Sequence, residues 1–532
     1  MLQTITGLTS ASRAAPAVFA LDLNCAIYHC VHSLQKRKPY QPDIQHRWES
    51  DLIQDVISYI KHMRTIVNPR ETLYIAVDGV VPMAKIRQQR VRRFKSAVEA
   101  DTEARIRADA NNKVYEPQPR WDTNAITPGT KFMANLGIGL RTYAKTDTHI
   151  HVSPADEPGE GEQKIMAWIR DTSASDVVIY GLDADLIVLA LWSHAVQTNR
   201  VDLFREEVEF NGQIKLDAHG YEQFLYLDIC HLASVLHTTY GRPGQSIAAF
   251  LTDFVGMMNL LGNDFVPHGM GLKIKNEGVE YLLGIYKEVL RDPLVHLSGG
   301  IYAYVVNTLR QLFDTLNADE PTMILKNTRK KLESRVGSTP SKEPADQAMA
   351  RYNDTPILLG AEHTIVHRLY PQVGDDKTRI ALRGNWAAMY DKHALWDADL
   401  SIVATAYLES LGWTLAYYSG APVDTEWYYP WLLPPRAETV VAKLRTIDTI
   451  PIPNRIRPIL KPLEQLAMVL PERSFHLLPS EYLRLKEKYP HAWPERWGQF
   501  SMGRRFMWEC EPLIPLIQPH QIRTWIEELY DE

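Results

Sequence analysis

Short apolar runs alternate along the first part of the chain with longer segments of helical pattern. Three of these runs are rich in β-branched and aromatic residues, and each ends in a carboxylate. They read AVFALDL (17–23), LYIAVD (73–78) and VVIYGLDAD (177–185). Apolar runs of this length, separated by helices, are typical of buried parallel strands. The pattern therefore predicts an α/β fold with a mainly parallel twisted sheet flanked by helices.

The carboxylates that end these runs are the first candidates for chemistry. In open parallel sheets, ligands bind beyond the carboxyl ends of the strands, where the loops lie. Asp22, Asp78, Asp183 and Asp185 are all expected at that edge of the sheet. The sequence therefore predicts an acidic site there.

A basic helix is predicted directly after the second run, in the segment DGVVPMAKIRQQRVRRFK (78–95). Pro82 is expected in its first turn, where a missing N–H is tolerated. Residues spaced at i, i+4, i+7 and i+8 share one face of a helix. The four on that face are Lys85, Gln89, Arg92 and Arg93. A lysine, an amide and two guanidinium groups suit one phosphate, although a solvated basic helix gives the same pattern.

Three more acids stand at turns. Glu160 and Glu162 open a helical segment after a glycine-rich turn, and Asp264 follows an apolar helix in the sequence LLGND. Acids at the start of a helix are also favoured by its dipole, so a capping role remains open for the two glutamates.

Seven carboxylates that converge without cations would repel one another and shift their pKa values. A ligand set of carboxylate oxygens suits Mg²⁺ or Mn²⁺. Two such ions, about 4 Å apart, activate a water and stabilise the leaving oxygen in phosphodiester cleavage. The sequence therefore predicts a two-metal site, whereas scattered surface acids are the alternative for any single member of the set.

Composition narrows the class of protein. The chain has 532 residues, 45% of them hydrophobic and 23% charged, with a formal net charge of −6, which is typical of a globular protein with any nucleic-acid contact confined to a local patch. The four cysteines form no CxxC pair, which favours a reducing compartment such as the cytoplasm. No apolar run approaches the roughly 20 residues of a membrane span, and no signal peptide is predicted.

The second half of the chain has a different pattern. Residues 326–360 are polar and contain proline and serine, which predicts a surface linker. We therefore divide the chain into a nuclease-like core (1–325), that linker (326–360), and a second, aromatic-rich helical region (361–532).

Several of these segments together resemble the XRN family of 5′→3′ exoribonucleases, whose core is of the PIN or flap-endonuclease-like type. The resemblance covers nearly the whole chain. The matching stretches are DLN (22–24), DGVVPMAKIRQQRVRRF (78–94), ITPGTKFM (126–133), PGEGEQKIM (158–166), GLDADLI (181–187), DFVGMMNLLGNDFVPH (253–268), YLESLGWTLAYYSG (407–420), WYYP (427–430) and PLEQLAMVLP (462–471).

The resemblance implies an activity and its residues. The seven acids are expected to bind the metals, and the four residues of the basic face to hold the 5′-monophosphate of single-stranded RNA. The second region is expected to wall the site, so that cleavage proceeds processively from the 5′ end. A decapping enzyme acting upstream would supply such ends. The chain ends at Glu532, which we expect of a compact catalytic core, such as a viral member.

Departures from the family pattern concern base stacking. The family has a histidine six residues after its first aspartate, where this chain has Tyr28 followed by His29, and either ring is a candidate. Trp413 and Trp427 are further candidates, although core packing is the commoner role of such residues. Met83 stands where an arginine is usual, and Gln163 replaces a histidine.

Two other functions share some of these features. A structure-specific flap DNA nuclease has the acids without the second region. A non-catalytic RNA-binding protein keeps the fold but is free to lose the acids. The sequence leaves the oligomeric state open.

Overall fold

A computed structural model gives the arrangement of the chain. It describes residues 7–117, 119–209, 214–217, 222–333, 339–354, 381–382, 384–504 and 506–531. Within these ranges, none of the helices combines the length and the apolar character that a bilayer crossing requires.

The first part of the described chain alternates strands and helices. Its elements are β1 (Thr9–Ser10), β2 (Val18–Asp22), α1 (Leu23–Arg37), α2 (Gln45–Val67), β3 (Thr72–Ala76), α3 (Met83–Ala110), α4 (Lys131–Ala144), β4 (Ile150–Ser153), α5 (Gly161–Thr172), β5 (Asp176–Tyr180), α6 (Asp185–Gln197), β6 (Arg200–Glu206) and β7 (Phe224–Asp228).

The rest is mainly helical, with two short hairpins. Its elements are α7 (Ile229–Tyr240), α8 (Ile247–Met258), α9 (Gly278–Glu288), β8 (Val295–Ser298), β9 (Ile301–Tyr304), α10 (Val306–Glu333), α11 (Pro344–Asn353), α12 (Trp386–Ala394), α13 (Leu400–Ser419), α14 (Ala437–Leu444), α15 (Pro462–Val469), α16 (Arg484–Lys488), β10 (Gly498–Phe500), β11 (Glu511–Leu513) and α17 (Pro519–Tyr530).

The main sheet has seven strands in the order β1-β7-β6-β5-β2-β3-β4. Strands β6, β5, β2, β3 and β4 are parallel, and β7 and β1 add an antiparallel edge. The three apolar runs form β2, β3 and β5, with β2 between the other two. The predicted α/β fold with a mainly parallel sheet and a helical second region is confirmed.

Each face of the sheet has its own core. Phe19 and Leu21 of β2 pack in one hydrophobic cluster, whereas Val18 and Ala20 pack in the other. Because side chains alternate along a strand, a continuous apolar run serves both faces at once. This two-sided burial leaves the carboxyl ends of the strands as the place where polar side chains emerge.

The basic helix differs in two details from the prediction. It begins at Met83, directly after Pro82, and it continues through the charged segment to Ala110 as one helix. Beyond its first turns it packs against the C-terminal part of the chain: Phe94 lies in a cluster with Leu466 and Trp493.

The prediction of a surface linker over 326–360 is wrong for the part that the structure describes. Helix α10 continues to Glu333, and α11 occupies Pro344–Asn353. Since polar residues on the solvent side of a helix give the same composition as a linker, composition alone did not distinguish them. Residues 334–338 and 355–380, which include the rest of the predicted linker and the start of the second region, lie outside the described residues. The division at 325 and 361 stays a prediction.

Candidate active site

The carboxyl edge of the parallel strands carries four of the predicted acids. Asp22 is the last residue of β2, Asp78 lies two residues beyond β3, and Asp183 and Asp185 follow β5. Adjacent parallel strands are about 4.8 Å apart, so residues at their ends meet. The charges of Asp22, Asp78 and Asp183 influence one another in the fold.

Two glutamates close this edge from the start of α5. Glu160 immediately precedes α5 and makes no side-chain cap, so capping does not account for it. The N–H of Gly161 donates to Asp78 at 2.7 Å. A Cβ at Gly161 would lie 2.5 Å from Asp22 Oδ1, which explains why glycine is required where α5 approaches β2. The glycine therefore allows Glu160 and Glu162 to join the aspartates.

Asp264 reaches the cluster from a loop. The preceding Gly262 has φ +86°, and a Cβ there would lie 2.8 Å from the backbone nitrogen of His268, so the turn needs glycine. Asp264 accepts a hydrogen bond from Gln88 Nε2 at 3.1 Å and pairs with Lys85. All seven predicted acids are thus brought into one electrostatically linked cluster.

The electrostatics of the cluster show that its charges are poorly balanced. Burial, with the neighbouring Asp78 and Asp183, raises the pKa of Asp22 well above its usual range. Burial and Glu160 do the same to the pKa of Glu162. The pKa of Asp185 is raised to about 6 by burial and by Asp264. Asp22 Oδ1 is buried and has no hydrogen-bond partner among the described residues.

These observations fit divalent cations. Orphaned carboxylate oxygens and raised pKa values are what a cation would relieve. One ligand atom each from Asp22, Asp183 and Cys25 lie within 4.8 Å of one another. Burial raises the pKa of the Cys25 thiol, so it stays neutral and a hard ion would prefer the carboxylates. The sequence reasoning did not identify Cys25, which lies one helical turn beyond Asp22.

Lys85 pairs with this acidic cluster, and its predicted role in binding a phosphate stays a prediction. Its ammonium pairs with Glu160 and Asp264. Burial opposes its charge, yet Glu160, Asp264 and Glu162 raise the pKa of Lys85 well above its usual value. Lys85 is the first-turn end of the predicted face, and that end meets the acids.

The rest of the predicted basic face divides into buried and exposed members. Gln89 and Arg93 are buried, and Arg93 donates to Thr127, while Arg92 is exposed. Burial lowers the pKa of Arg93 to about 10, and the charges of Tyr28 and Asp78 partly oppose this shift. Gln89 Oε1 is buried without a hydrogen-bond partner among the described residues. The guanidinium group of Arg93 therefore lies near Asp78 of the acidic cluster, with Gln89 one turn earlier on the same face of α3.

The two candidate rings at 28 and 29 are placed differently. His29 Nε2 pairs with Glu222 at 2.9 Å, and its ring stacks on Tyr59 at 4.7 Å between centroids. The His29 ring is thus engaged by Tyr59 and Glu222 in this structure, and its role in base stacking stays a prediction. Tyr28 is 44% exposed and lies near Arg93. It remains the candidate for stacking.

Neither tryptophan offers a free platform. Trp413 is fully buried, stacks on Tyr417, and donates its indole N–H to the carbonyl of Asp424 at 2.9 Å. Trp427 stacks on Trp413 with 5.8 Å between ring centroids. In this structure the two rings pack on each other between α13 and the following loop, and base stacking by Trp413 and Trp427 stays a prediction.

Two tyrosines of α13 were missed by the sequence reasoning. The hydroxyl of Tyr417 donates to Glu160 Oε1 at 2.8 Å, and that of Tyr418 donates to Asp185 Oδ2 at 3.3 Å. Both side chains come from the second region. Nothing in the local sequence pattern around Tyr417 and Tyr418 indicates a carboxylate partner.

Replacing Tyr417 with phenylalanine should weaken the binding of Mg²⁺ by about tenfold. The hydroxyl orients Glu160, and removing one such hydrogen bond costs about 1.5 kcal/mol. The Mg²⁺ concentration that gives half-maximal stabilisation against thermal unfolding should therefore rise. Tyr428→Phe, in the same region but hydrogen-bonded to Gln518, is the control. An unchanged Mg²⁺ requirement in Tyr417→Phe would contradict the role.

Two further arginines of α3 join the halves of the molecule. Arg90 is fully buried and donates to the carbonyls of Met468, Ala492 and Pro515. Arg87 donates to the carbonyl of Tyr429 at 2.7 Å. These two arginines therefore hold the C-terminal part of the chain against α3.

Comparison with known proteins identifies the family. A sequence model described as "XRN 5'-3' exonuclease N-terminus" matches residues 4–207, and one described as "Xrn1 helical domain" matches 246–362 and 389–532. The chain belongs to the XRN family of 5′→3′ exoribonucleases. The resemblance predicted from the motifs is confirmed. The first match ends at 207 and the second begins at 246. Both positions lie earlier in the chain than the domain boundary that we predict at 325.

XRN relatives align with almost all of the chain. The chain is 29% identical to human "5'-3' exoribonuclease 1", covering 95% of this chain and 32% of that protein. It is 25% identical to the Schizosaccharomyces pombe protein of the same name, covering 93% and 45%. It is 26% identical to "5'-3' exoribonuclease 2" of Gallus gallus, covering 96% and 65%. The chain thus spans from one third to about two thirds of the length of these relatives.

Proposed function

We propose that the chain is a metal-dependent 5′→3′ exoribonuclease. It takes single-stranded RNA with a 5′-monophosphate and releases nucleoside 5′-monophosphates processively. The observation that carries the proposal is the position of seven carboxylates beside Gln89 and Arg93, at one edge of the sheet. The names of the aligned relatives support the direction of cleavage and the RNA substrate.

The seven acids would hold two Mg²⁺ or Mn²⁺ ions. The unpartnered oxygen of Asp22 and the raised pKa values of Asp22, Glu162 and Asp185 support this assignment. When bound, such ions supply an activated water and stabilise the leaving oxygen of a phosphodiester. Tyr417 and Tyr418 hold two of the carboxylates in place.

The basic residues of α3 would bind the terminal phosphate. The charges of Tyr28 and Asp78 act on Arg93, Gln89 is buried one turn earlier on the same helix, and Arg92 is exposed. A phosphate bound there places the first phosphodiester near the acids, and the ring of Tyr28 can stack on the first base. A triphosphate or a cap adds bulk and charge that this buried position does not accommodate. An enzyme that leaves 5′-monophosphate ends, such as a decapping enzyme, would act before it.

The second region supports an exonuclease rather than an endonuclease. Helix α13 contacts the acidic cluster through Tyr417 and Tyr418, and α3 is bound along its length by carbonyls of the C-terminal part. A site enclosed on that side admits a chain end more readily than an internal segment. Enclosure also favours retention of the RNA between successive cleavages.

The test compares three RNAs of one sequence that carry a 5′-monophosphate, a 5′-hydroxyl or a 5′-triphosphate, each with Mg²⁺. The monophosphate form should decay at least about tenfold faster, since one charge-assisted contact contributes about 1.5–3 kcal/mol. Nucleoside 5′-monophosphates should be the products. A flap DNA substrate should be cut poorly. Equal decay of all three RNAs would contradict the phosphate assignment.

Arg92→Gln should narrow the preference for the monophosphate by about tenfold, because it removes one cation from the phosphate site. The side chain is exposed, so the midpoint of thermal unfolding should not change. Arg105→Gln, exposed farther along the same helix, is the matched control and should keep the full preference. An Arg92→Gln enzyme with unchanged preference would exclude Arg92 from the site.

A further inference from the structure

A second group of ligating side chains lies outside the acidic cluster. Glu206 ends β6, His29 is on α1, and Glu222 lies just before β7. We propose that His29, Glu206 and Glu222 bind a divalent transition-metal ion of the Zn²⁺ class. This site is independent of the proposed nuclease function.

The geometry brings one ligand atom from each residue together. The imidazole nitrogen and the two carboxylate oxygens all lie within 4.8 Å of one another. His29 Nε2 is 2.9 Å from Glu222 Oε1. Each residue comes from a separate element, so the cluster is formed by the tertiary fold and not by local sequence.

An unpartnered oxygen points to a missing ligand. Glu206 is only 2% exposed, and its Oε2 has no hydrogen-bond partner among the described residues. Its other oxygen, Oε1, accepts from the hydroxyls of Tyr59 and Tyr180. A buried carboxylate oxygen without a partner destabilises the fold, and a bound cation would remove that cost.

The surrounding groups suit a metal site. Tyr59 lies within hydrogen-bond distance of both carboxylates, at 2.9 Å from Glu222 Oε2. Such contacts fix the orientation of ligating carboxylates. With His29 protonated, two carboxylates face one positive charge; with a divalent ion and neutral imidazole, the charges balance.

An open cavity gives the cluster access to solvent. The cavity has a volume of about 380 Å³, and His29, Tyr59, His62 and Glu222 line it. Water ligands can therefore complete the coordination sphere. One imidazole with two carboxylates is a donor set that Zn²⁺ takes at about 2.0–2.2 Å. Mg²⁺ prefers oxygen ligands alone, so the imidazole separates this site from the acidic cluster.

The experiment titrates the full chain with Zn²⁺ in the presence of excess Mg²⁺, which occupies the acidic cluster. Calorimetry gives the affinity, and elemental analysis after dialysis gives the number of zinc ions bound. We expect one tight Zn²⁺ per chain, weakened at least about tenfold in His29→Gln and in Glu222→Gln. His32→Gln, exposed on the same helix, should bind as the wild type does.

Asp183→Asn separates the two sites, because it alters the acidic cluster and leaves the three proposed ligands intact. Retention of the tight Zn²⁺ in Asp183→Asn supports the proposal. Loss of zinc in Asp183→Asn with retention in His29→Gln would overturn it, and so would absence of tight binding in the wild type. X-ray absorption of the zinc-loaded wild type should show one imidazole ligand, a readout that does not depend on how a variant folds.

Discussion

Asp22→Asn is expected to reduce RNA hydrolysis by at least about 10³-fold while it raises the stability of the metal-free protein. Loss of one central ligand removes about 4 kcal/mol of the metal-dependent stabilisation of the transition state. The same change removes a buried carboxyl group whose pKa is raised by burial and by the charges of Asp78 and Asp183. We expect the free energy of unfolding in EDTA to increase by about 1–2 kcal/mol, as when strained active-site residues are replaced.

The pH dependence of stability in the metal-free protein gives an independent test of this predicted gain in stability. A carboxyl group whose pKa is raised in the fold stabilises the protein at low pH, and that contribution is lost as the pH rises through the folded-state pKa. For Asp185 the window runs from its ordinary value of 3.8 to about 6. Thermal unfolding in EDTA should therefore show Asp22→Asn gaining stability relative to the wild type as the pH rises above 3.8, because the variant lacks a carboxyl group whose pKa the fold raises.

Asp55→Asn is the matched control for Asp22→Asn. Asp55 pairs with Arg37 at the surface, at 2.6 Å, and its replacement should change neither hydrolysis nor stability in EDTA appreciably. Added Mg²⁺ should stabilise the wild type and Asp55→Asn alike, and Asp22→Asn much less. A destabilised Asp22→Asn that still gains full stability from Mg²⁺ would show that the carboxylate is structural.

Arg90→Met is expected to destabilise the protein by about 3–5 kcal/mol. The guanidinium group satisfies three buried carbonyls, those of Met468, Ala492 and Pro515, and each unsatisfied carbonyl costs about 1–3 kcal/mol. It also lies 4.5 Å from the centroid of the Phe94 ring. Because these carbonyls belong to the C-terminal part, that part should detach from α3, and proteolysis there should become faster.

Arg92→Met on the same helix provides the comparison. Arg92 is exposed, so its replacement should change the free energy of unfolding by no more than about 0.5 kcal/mol while it weakens the preference for a 5′-monophosphate. The two substitutions remove the same chemical group two residues apart. If urea denaturation gave equal losses of stability for both, the structural role assigned to Arg90 would be wrong.

The strands, their carboxyl ends and the turns near the site were predictable from sequence, because each has a local sequence pattern. Asp22 follows an apolar run and ends β2, and Gly161 and Gly262 mark turns that their backbone geometry requires. Parallel pairing then brings the strand ends together without further information. For the same reason the position of Asp22, Asp78, Asp183 and Asp185 at one edge followed from the order of the strands, whereas Asp264 reaches it from a loop after α8.

Partners far apart in sequence were not predictable. The helical spacing placed Lys85 on one face with Arg92 and Arg93. From Lys85 to Arg93 this face is about 12 Å long, at about 1.5 Å per residue, so its two ends meet different neighbours. Lys85 meets Glu160 and Asp264. Tyr417 reaches Glu160 from 257 positions away. No periodicity in a single chain reports which tyrosine packs against carboxylates and which against other rings, as Trp413 does.

The most direct test of the metal site is a structure of the full chain soaked with Mn²⁺, with anomalous scattering measured at the manganese edge. We expect two manganese ions about 4 Å apart, with Asp22, Asp183, Asp185 and Glu162 among the residues that hold them. If no manganese were found between Asp22 and Asp183, or if it bound only elsewhere on the protein, the assignment of the acidic cluster as the metal site would be wrong.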